Sequence, residues 1–292
     1  MKAPATGAPP APSERVKLRQ TRLAVGRLIA LSMLLSLVPL VLLTFFSVSL
    51  STRAVGREAS ARVGSTAQVA AVSIHNDLQG LRELVHSFAQ RPSLVRAVRD
   101  PSHRDGRMIR LHLSQLHAGR PGIANVFLAN PSGQLLEVAP SDPTAIGRDV
   151  SSTDWYRGVT SIGGPYVSEA DVTLAKGQPQ AIAVADLVTA PTGGKGKTLD
   201  IIVAVYDVGS MRGLVDRLAA SQSVQVSVTD QRGTVLAKPG PAPTTQIHQG
   251  NDPFVQAALH GHSGVSTRQG PDGPILTAYE PVPGLGWAET GS

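Results

Sequence analysis

Leu28–Leu50 is a run of 23 residues without a charge (LIALSMLLSLVPLVLLTFFSVSL), and it bounds what the rest of the chain can do. At a rise of about 1.5 Å per residue, such a run spans roughly 34 Å as a helix, enough for a hydrocarbon core of about 30 Å with some tilt. Arg15, Lys17, Arg19, Arg22 and Arg27 stand just before it. Basic flanks stay on the cytoplasmic side, so the expectation is a single-pass chain in the cell membrane, with residues 1–27 inside and everything after Leu50 extracytoplasmic. A cleaved signal peptide is the rival. Its apolar region is about 7–15 residues long and ends at a small-residue cleavage site, whereas this run is longer and continues through Ser51-Thr52-Arg53 into a helix. Pro39, in mid-run, is tolerated in membrane helices because neighbouring groups satisfy the freed carbonyl.

The charge follows the same division. The net charge is +6, but residues 1–27 hold six Lys/Arg and one acid, Glu14, and the remainder carries 21 basic and 20 acidic residues. The basicity is therefore a topogenic signal beside anionic lipid, and a nucleic-acid partner is not expected. The chain has no cysteine. An oxidising exterior permits disulfides without requiring them, and the residues beyond the run suffice for one or two cores without such staples. Met1–Pro12, rich in Ala and Pro, reads as a disordered cytoplasmic tail.

Beyond the run, apolar residues at Val63, Ala67, Ala70, Ile74, Leu78, Leu81, Leu84/Val85 and Phe88 recur at threes and fours, the period of one long amphipathic helix. Arg91-Pro92-Ser93 ends or breaks it, and Ser93–Val98 adds a short helix. Asp105–His117 is a second helix. After Pro121-Gly122 the period changes to that of strands: Ala124–Leu128, a turn at Asn130-Pro131-Ser132-Gly133, and a return over Gln134–Val138. Tyr166–Ser168, Ala181–Val188 and Leu199–Tyr206 are further strands, the last two apolar enough for the middle of a sheet, with Thr189–Lys197 as their hairpin loop. A helix over Ser210–Ala220 follows. Then Val224–Val228, Asp230-Gln231-Arg232-Gly233 and Thr234–Lys238 repeat the strand, Gly turn, strand pattern. Phe254–Leu259 is a short helix, and Gly264–Arg268, Pro274–Val282 and Gly286-Trp287-Ala288 complete a smaller sheet. The expected fold class is α+β: an N-terminal transmembrane helix, a long stalk helix and two PAS-like antiparallel sheet modules of unequal size. Its expected divisions are a cytoplasmic tail over 1–27, a transmembrane helix over 28–50, stalk and second helix over 51–120, a membrane-distal module over 121–220 and a membrane-proximal module over 221–289.

The most specific strings are Thr153-Asp154-Trp155-Tyr156-Arg157-Gly158 and Gly163-Gly164-Pro165-Tyr166-Val167-Ser168. With the Asn-Pro-Ser-Gly turn at 130–133, Ile146-Gly147-Arg148-Asp149, Val205-Tyr206-Asp207-Val208 and the final Pro-Gly-Leu-Gly-Trp, they make residues 40–289 resemble the extracytoplasmic double Cache sensor domain of bacterial chemoreceptors, sensor histidine kinases and diguanylate cyclases. The resemblance implies an anchor helix running into a stalk helix that carries two PAS-like modules, with the ligand in the membrane-distal one. Trp155 and Tyr156, read as lying on a loop over a sheet face, offer a flat apolar wall with two hydrogen-bonding tips. Asp207, at the end of a buried strand, offers a carboxylate for a cationic amino group. In the amino-acid-binding branch of the family, an Arg two residues before the Trp grips the ligand carboxylate and an acid follows the Pro-Tyr strand. This chain has Thr153 and Ser168 there, so the carboxylate clamp is missing. The expected ligand-binding set is Trp155, Tyr156, Asp207, Tyr166, Ser168, Thr153 and Asp154, favouring an amine-bearing or neutral small molecule, with an amino acid as a further option. The bland reading is that Trp155 and Tyr156 pack the module and Asp207 caps the next helix.

Other strings do not support chemistry. Gly193–Thr198 (GGKGKT) ends like a phosphate-binding loop, but Pro191 stands where its first Gly belongs. Gly261-His262-Ser263-Gly264-Val265 lacks the last Gly of a nucleophile elbow. His260 and His262 are two apart and His112 and His117 five apart, so neither pair shares a helical face for a metal. No catalytic residues, metal site or cofactor are expected. The chain reads as the non-enzymatic input part of a membrane receptor or sensor kinase, and family members often dimerise through the stalk. Family members also pass from the final Trp strand into a second membrane helix and an output domain, whereas this sequence stops at Ser292: it is a fragment, or a sensor that borrows its output. The alternative is a structural or adhesive surface protein, for which an exposed aromatic patch would replace an internal pocket.

Overall fold

The computed structural model describes residues 12–169, 181–190, 196–222, 224–240, 247–270 and 273–292, with the side chains of 12–32, 34–36, 38–42, 46–55, 218, 221 and 222 outside that description. Residues 1–11 of the expected tail and 193–195 of GGKGKT therefore lie outside the described residues. Helix α1 runs Pro12–Ala89. Among the described residues no helix is both long and apolar enough to cross a membrane. One compact unit ends at Ala59 and the other is Ser60–Ser292.

In the second unit the helical period shows directly in burial. Ala67, Ala70, Ala71, Ile74, Leu78, Leu81, Val85 and Phe88 are all buried, while Val69 and Val72 between them are exposed. Arg91 has extended backbone and Pro92 opens α2 (Pro92–Val98), which ends one helix and starts the next. Helix α3 (Gly106–Ala118) is capped by Asp105, whose Oδ1 accepts from the Met108 amide at 3.0 Å.

The first sheet contains β1 (Ile123–Ala129), β2 (Leu135–Ala139), β3 (Tyr166–Val167), β4 (Ala181–Thr189) and β5 (Thr198–Asp207), ordered β2-β1-β5-β4-β3 and antiparallel throughout. Helix α4 (Asp154–Ile162) lies between β2 and β3 in sequence, and α5 (Val208–Gln222) leads to the second sheet. That sheet contains β6 (Val226–Thr229), β7 (Val235–Ala237), β8 (Gly264–Gly270), β9 (Gly273–Val282) and β10 (Trp287–Gly291), ordered β7-β6-β10-β9-β8, with α6 (Pro253–Leu259) between β7 and β8 in sequence. The two modules are unequal in their element lengths but share one plan. Both have five strands in the same order, and only strand and loop lengths differ. Both opening hairpins turn on one device: Asn130 Oδ1 accepts from the Ser132 and Gln134 amides, Asp230 Oδ1 from the Arg232 and Thr234 amides, and Gly133 and Gly233 supply the positive φ that follows.

Alternation divides each sheet into two faces. In the first, Ile182, Val184, Val188, Ile202 and Ala204 join the main core with α1, α2 and α3. Two acids on that face are buried and each meets a basic group. His86 Nδ1 lies 2.6 Å from Asp186 Oδ2, and Arg104 forks onto Asp200. In the second sheet Val226, Val228, Ala237, Val282 and Trp287 join the same core. Glu289 shares their face and is fully buried, yet neither carboxylate oxygen has a hydrogen-bond partner among the described residues.

Candidate ligand-binding site

The opposite face of the first sheet carries the predicted site. Ala181, Ala183 and Ala185 of β4 and Ile201, Val203 and Val205 of β5 line it, and alternation adds Asp207. The three alanines leave a low floor, and α4 covers it. Trp155 is only 1% exposed; its ring lies 5.7 Å from Phe127 and 6.0 Å from Tyr156. Tyr156 donates to the Pro131 carbonyl at 2.6 Å, which ties α4 to the β1–β2 turn.

Trp155 and Tyr156 thus stand on a helix and not on the expected loop. Asp154 in the first turn favours the positive helix end, the apolar Trp155 and Val159 are four apart, and Gly163 in the left-handed conformation closes the segment. Thr153 occupies the N-cap, but its Oγ1 donates to the Val150 carbonyl at 2.6 Å instead of capping. Gly158 is needed for close approach: a Cβ there would meet the Tyr166 ring at 2.3 Å.

An acidic cluster gathers at this edge. Asp154 Oδ2 accepts from the Tyr166 hydroxyl at 3.0 Å and from the Glu169 amide at 2.9 Å. Burial, then the Asp154 charge, push the Tyr166 phenol up to about 12, so it remains a donor at neutral pH. Burial and Asp154 also push the Glu169 carboxyl up, against the pull of Arg232, whose Nη2 lies 2.6 Å from Glu169 Oε2. Arg232 comes from the β6–β7 turn. Its neighbour Gln231 accepts from Trp287 Nε1 at 2.8 Å, and Trp287 belongs to the buried cluster that includes Ala70, Ala71 and Ile74 of α1.

The remaining expected residues are placed differently. The Ser168 hydroxyl donates to the Glu169 carbonyl and accepts from the Ala183 amide, both at 2.8 Å, with no exposure. Asp207 Oδ1 accepts from the Gly209 amide at 2.8 Å at the start of α5, and no partner of Oδ2 is found among the described residues. The structure therefore brings Asp154, Tyr166, Trp155 and Tyr156 together, spends Thr153 and Ser168 on backbone, and leaves Asp207 half committed on the same face. Sequence reasoning missed Glu169 and Arg232. Glu169 is the residue directly after Ser168, so reading Pro-Tyr-Val-Ser one position further would have found it; nothing in the sequence points from there to Arg232. Among the described residues no three His, Asp or Glu side chains are grouped to hold a metal ion.

No family model matches the chain, and no curated protein does. Solved structures do. The ligand-binding domain of the Pseudomonas fluorescens chemoreceptor CtaA, in complex with L-isoleucine, matches with a TM-score of 0.61 at 16% identity over 82% of this chain and 94% of that one. The ligand-binding domain of the Pseudomonas aeruginosa PAO1 amino-acid chemoreceptor PctB, with L-Gln, matches with a TM-score of 0.58 at 17% identity over 78% and 88%. An extracellular ligand binding receptor from Desulfohalobium retbaense matches with a TM-score of 0.58 at 14% identity over 77% of this chain, which spans 39% of that one. The fold is that of a double Cache sensor domain.

Proposed function

We propose that this chain is a membrane-anchored, extracytoplasmic sensor whose first module binds a small amine-bearing molecule. The observation that carries the reading is the cluster of Asp154, Glu169 and Tyr166 beside the Trp155 wall, with Asp207 on the same face. Three carboxyl groups edge this face, and the basic side chain found with them, Arg232, is brought by the other module. A cationic amine satisfies partly buried carboxylates, whereas a ligand carboxylate would meet repulsion and no clamp. The 1% exposure of Trp155 supports an internal site over an adhesive aromatic patch.

Anchoring rests on the uncharged run Leu28–Leu50 and the basic residues before it. Reporter fusions should place Lys2 inside and Ser292 outside; a folded domain protected within the cytoplasm would overturn the assignment. Val69 and Val72, exposed on α1, support a homodimer through the stalk, with output supplied by a partner or attached domain. Single cysteines along residues 60–75 should trap dimers in membranes, and no cross-link at any position would refute them. The binding test is a thermal-shift screen of the chain against amines, amino acids, purines and organic acids. A ligand at 100 times its dissociation constant adds about 2.7 kcal/mol. Stabilisation by organic acids with none by amines would reverse the reading.

A further inference from the structure

We propose that the second module holds its own binding site, which takes a small molecule through a single carboxylate. A cavity of about 290 Å³ opens on the face of the second sheet opposite α1, at the small end of ligand pockets, which run about 300–1,000 Å³. Its floor is hydroxylic. Ser227 and Thr290 are direct partners across β6 and β10, and Thr277 lies on the same face of β9. Among the described residues its charged side chains are Lys238 and Arg268, both basic, and none of its lining side chains is acidic.

Two details separate this cavity from an ordinary surface hollow. The Ser227 hydroxyl is buried in its floor with no hydrogen-bond partner among the described residues, which leaves a donor awaiting an acceptor. Arg268 is fixed in advance: Nη2 donates to Asp252 Oδ2 at 2.6 Å, the guanidinium lies 4.8 Å from the centre of the Phe254 ring, and the other Asp252 oxygen caps α6 through the Phe254 amide. Asp252 offsets the Arg268 charge, while Lys238 has no partner among the described residues. The recess is thus balanced for about one negative charge. A carboxylate carries one, whereas inorganic phosphate carries between one and two at neutral pH, so the geometry favours the carboxylate, with Lys238 as counter-ion and Ser227 and Arg268 as donors.

The site does not depend on the amine reading of the first module, and its test keeps the two apart. The full chain in detergent is titrated with sodium acetate, propionate and butyrate, using sodium chloride at equal ionic strength as the reference and sodium phosphate as a competing arm. Monocarboxylates should raise Tm above chloride and above phosphate. Lys238→Gln should weaken the apparent affinity about tenfold or more, as loss of a charge-assisted contact does. Ser227→Ala should lose the carboxylate response while the free protein is no less stable, because the unpartnered hydroxyl is gone; a merely structural serine would not give that pairing. Asp154→Asn, in the other module, should leave the response intact. No monocarboxylate shift, a stronger phosphate shift, or a response that survives Lys238→Gln would overturn the proposal.

Discussion

The two sheets share strand order, hairpin device and a helix over the outer face, yet their side chains do opposite work. On the core-facing side, the first sheet buries Asp186 and Asp200 beside His86 and Arg104, while the second buries Glu289 with no hydrogen-bond partner among the described residues and with Glu280 directly opposite it in register. On the outer side, the first packs a cluster around Phe127, Trp155 and Val203 and edges it with acids; the second buries Val255, Ala258 and Ala288 and leaves a basic recess. Pleat and turn chemistry fix the topology, which repeats. A handful of charged positions fixes what each copy can recognise, and these do not repeat.

The largest expected effect breaks the first module and spares the second. Trp155→Ala removes a fully buried indole and should cost about 3–5 kcal/mol in urea unfolding, with amine binding abolished. If the variant unfolds like the wild type, Trp155 does not anchor the outer face.

Glu289→Gln should do the reverse and stabilise the protein by roughly 1–3 kcal/mol near neutral pH, because it removes a carboxyl that must stay protonated in the native state while the unfolded chain ionises it. Burial, reinforced by Glu280, holds the Glu289 carboxyl well above the usual carboxylate range. The native state therefore keeps a proton that the unfolded chain releases above about pH 4.5, so this group makes stability fall as pH rises from there. The α1 residues 63–74 contain no titratable side chain to offset it. Denaturation curves from pH 4 to 8 should be flatter for Glu289→Gln than for the wild type; parallel curves would assign the slope to other groups.

Asp207→Asn is a finer probe, since Asn can still accept from the Gly209 amide and only the charge is lost. Calorimetry with an amine that stabilises the wild type should show a loss of about 1.5–3 kcal/mol, roughly ten- to hundredfold. Glu169→Gln should weaken the same ligand. If both bind like the wild type, the acidic edge is not the site. Thr153→Arg would restore a cation before the Trp and should shift preference toward ligands bearing a carboxylate. The smallest effect belongs to Arg232→Gln, which breaks a largely exposed pair worth about 0.2–1 kcal/mol to stability; a larger change in amine affinity than in unfolding free energy would show that Arg232 competes for Glu169.

Much of this fold is readable in the sequence because its signals are local. The three-and-four spacing of Ala67–Phe88, Pro92 as a helix break, and the Gly turns at 130–133 and 230–233 each specify an element within a few residues. Helix α4 was missed because nine residues hold little more than one apolar pair, so its evidence is the bracket of Asp154 and Gly163 and not a period. At the site, residue type was legible but commitment was not. Nothing in the string Pro-Tyr-Val-Ser reveals that the Ser168 hydroxyl is spent on backbone, or that Glu169 faces an arginine from the other module.

The turn Asp230–Gly233 gives the molecule a reciprocity. Gln231 and Arg232 are chain neighbours, one holding the Trp287 indole in the core shared with α1 and the other holding Glu169 beside Asp154 and Tyr166. If a bound cation weakens the Arg232 pair and so shifts that turn, then any force that shifts the turn from the Trp287 side changes affinity for the cation by the same factor. The affinity measured for such a cation would then depend on the state of α1, and a value obtained with α1 unrestrained would differ from one obtained with α1 held.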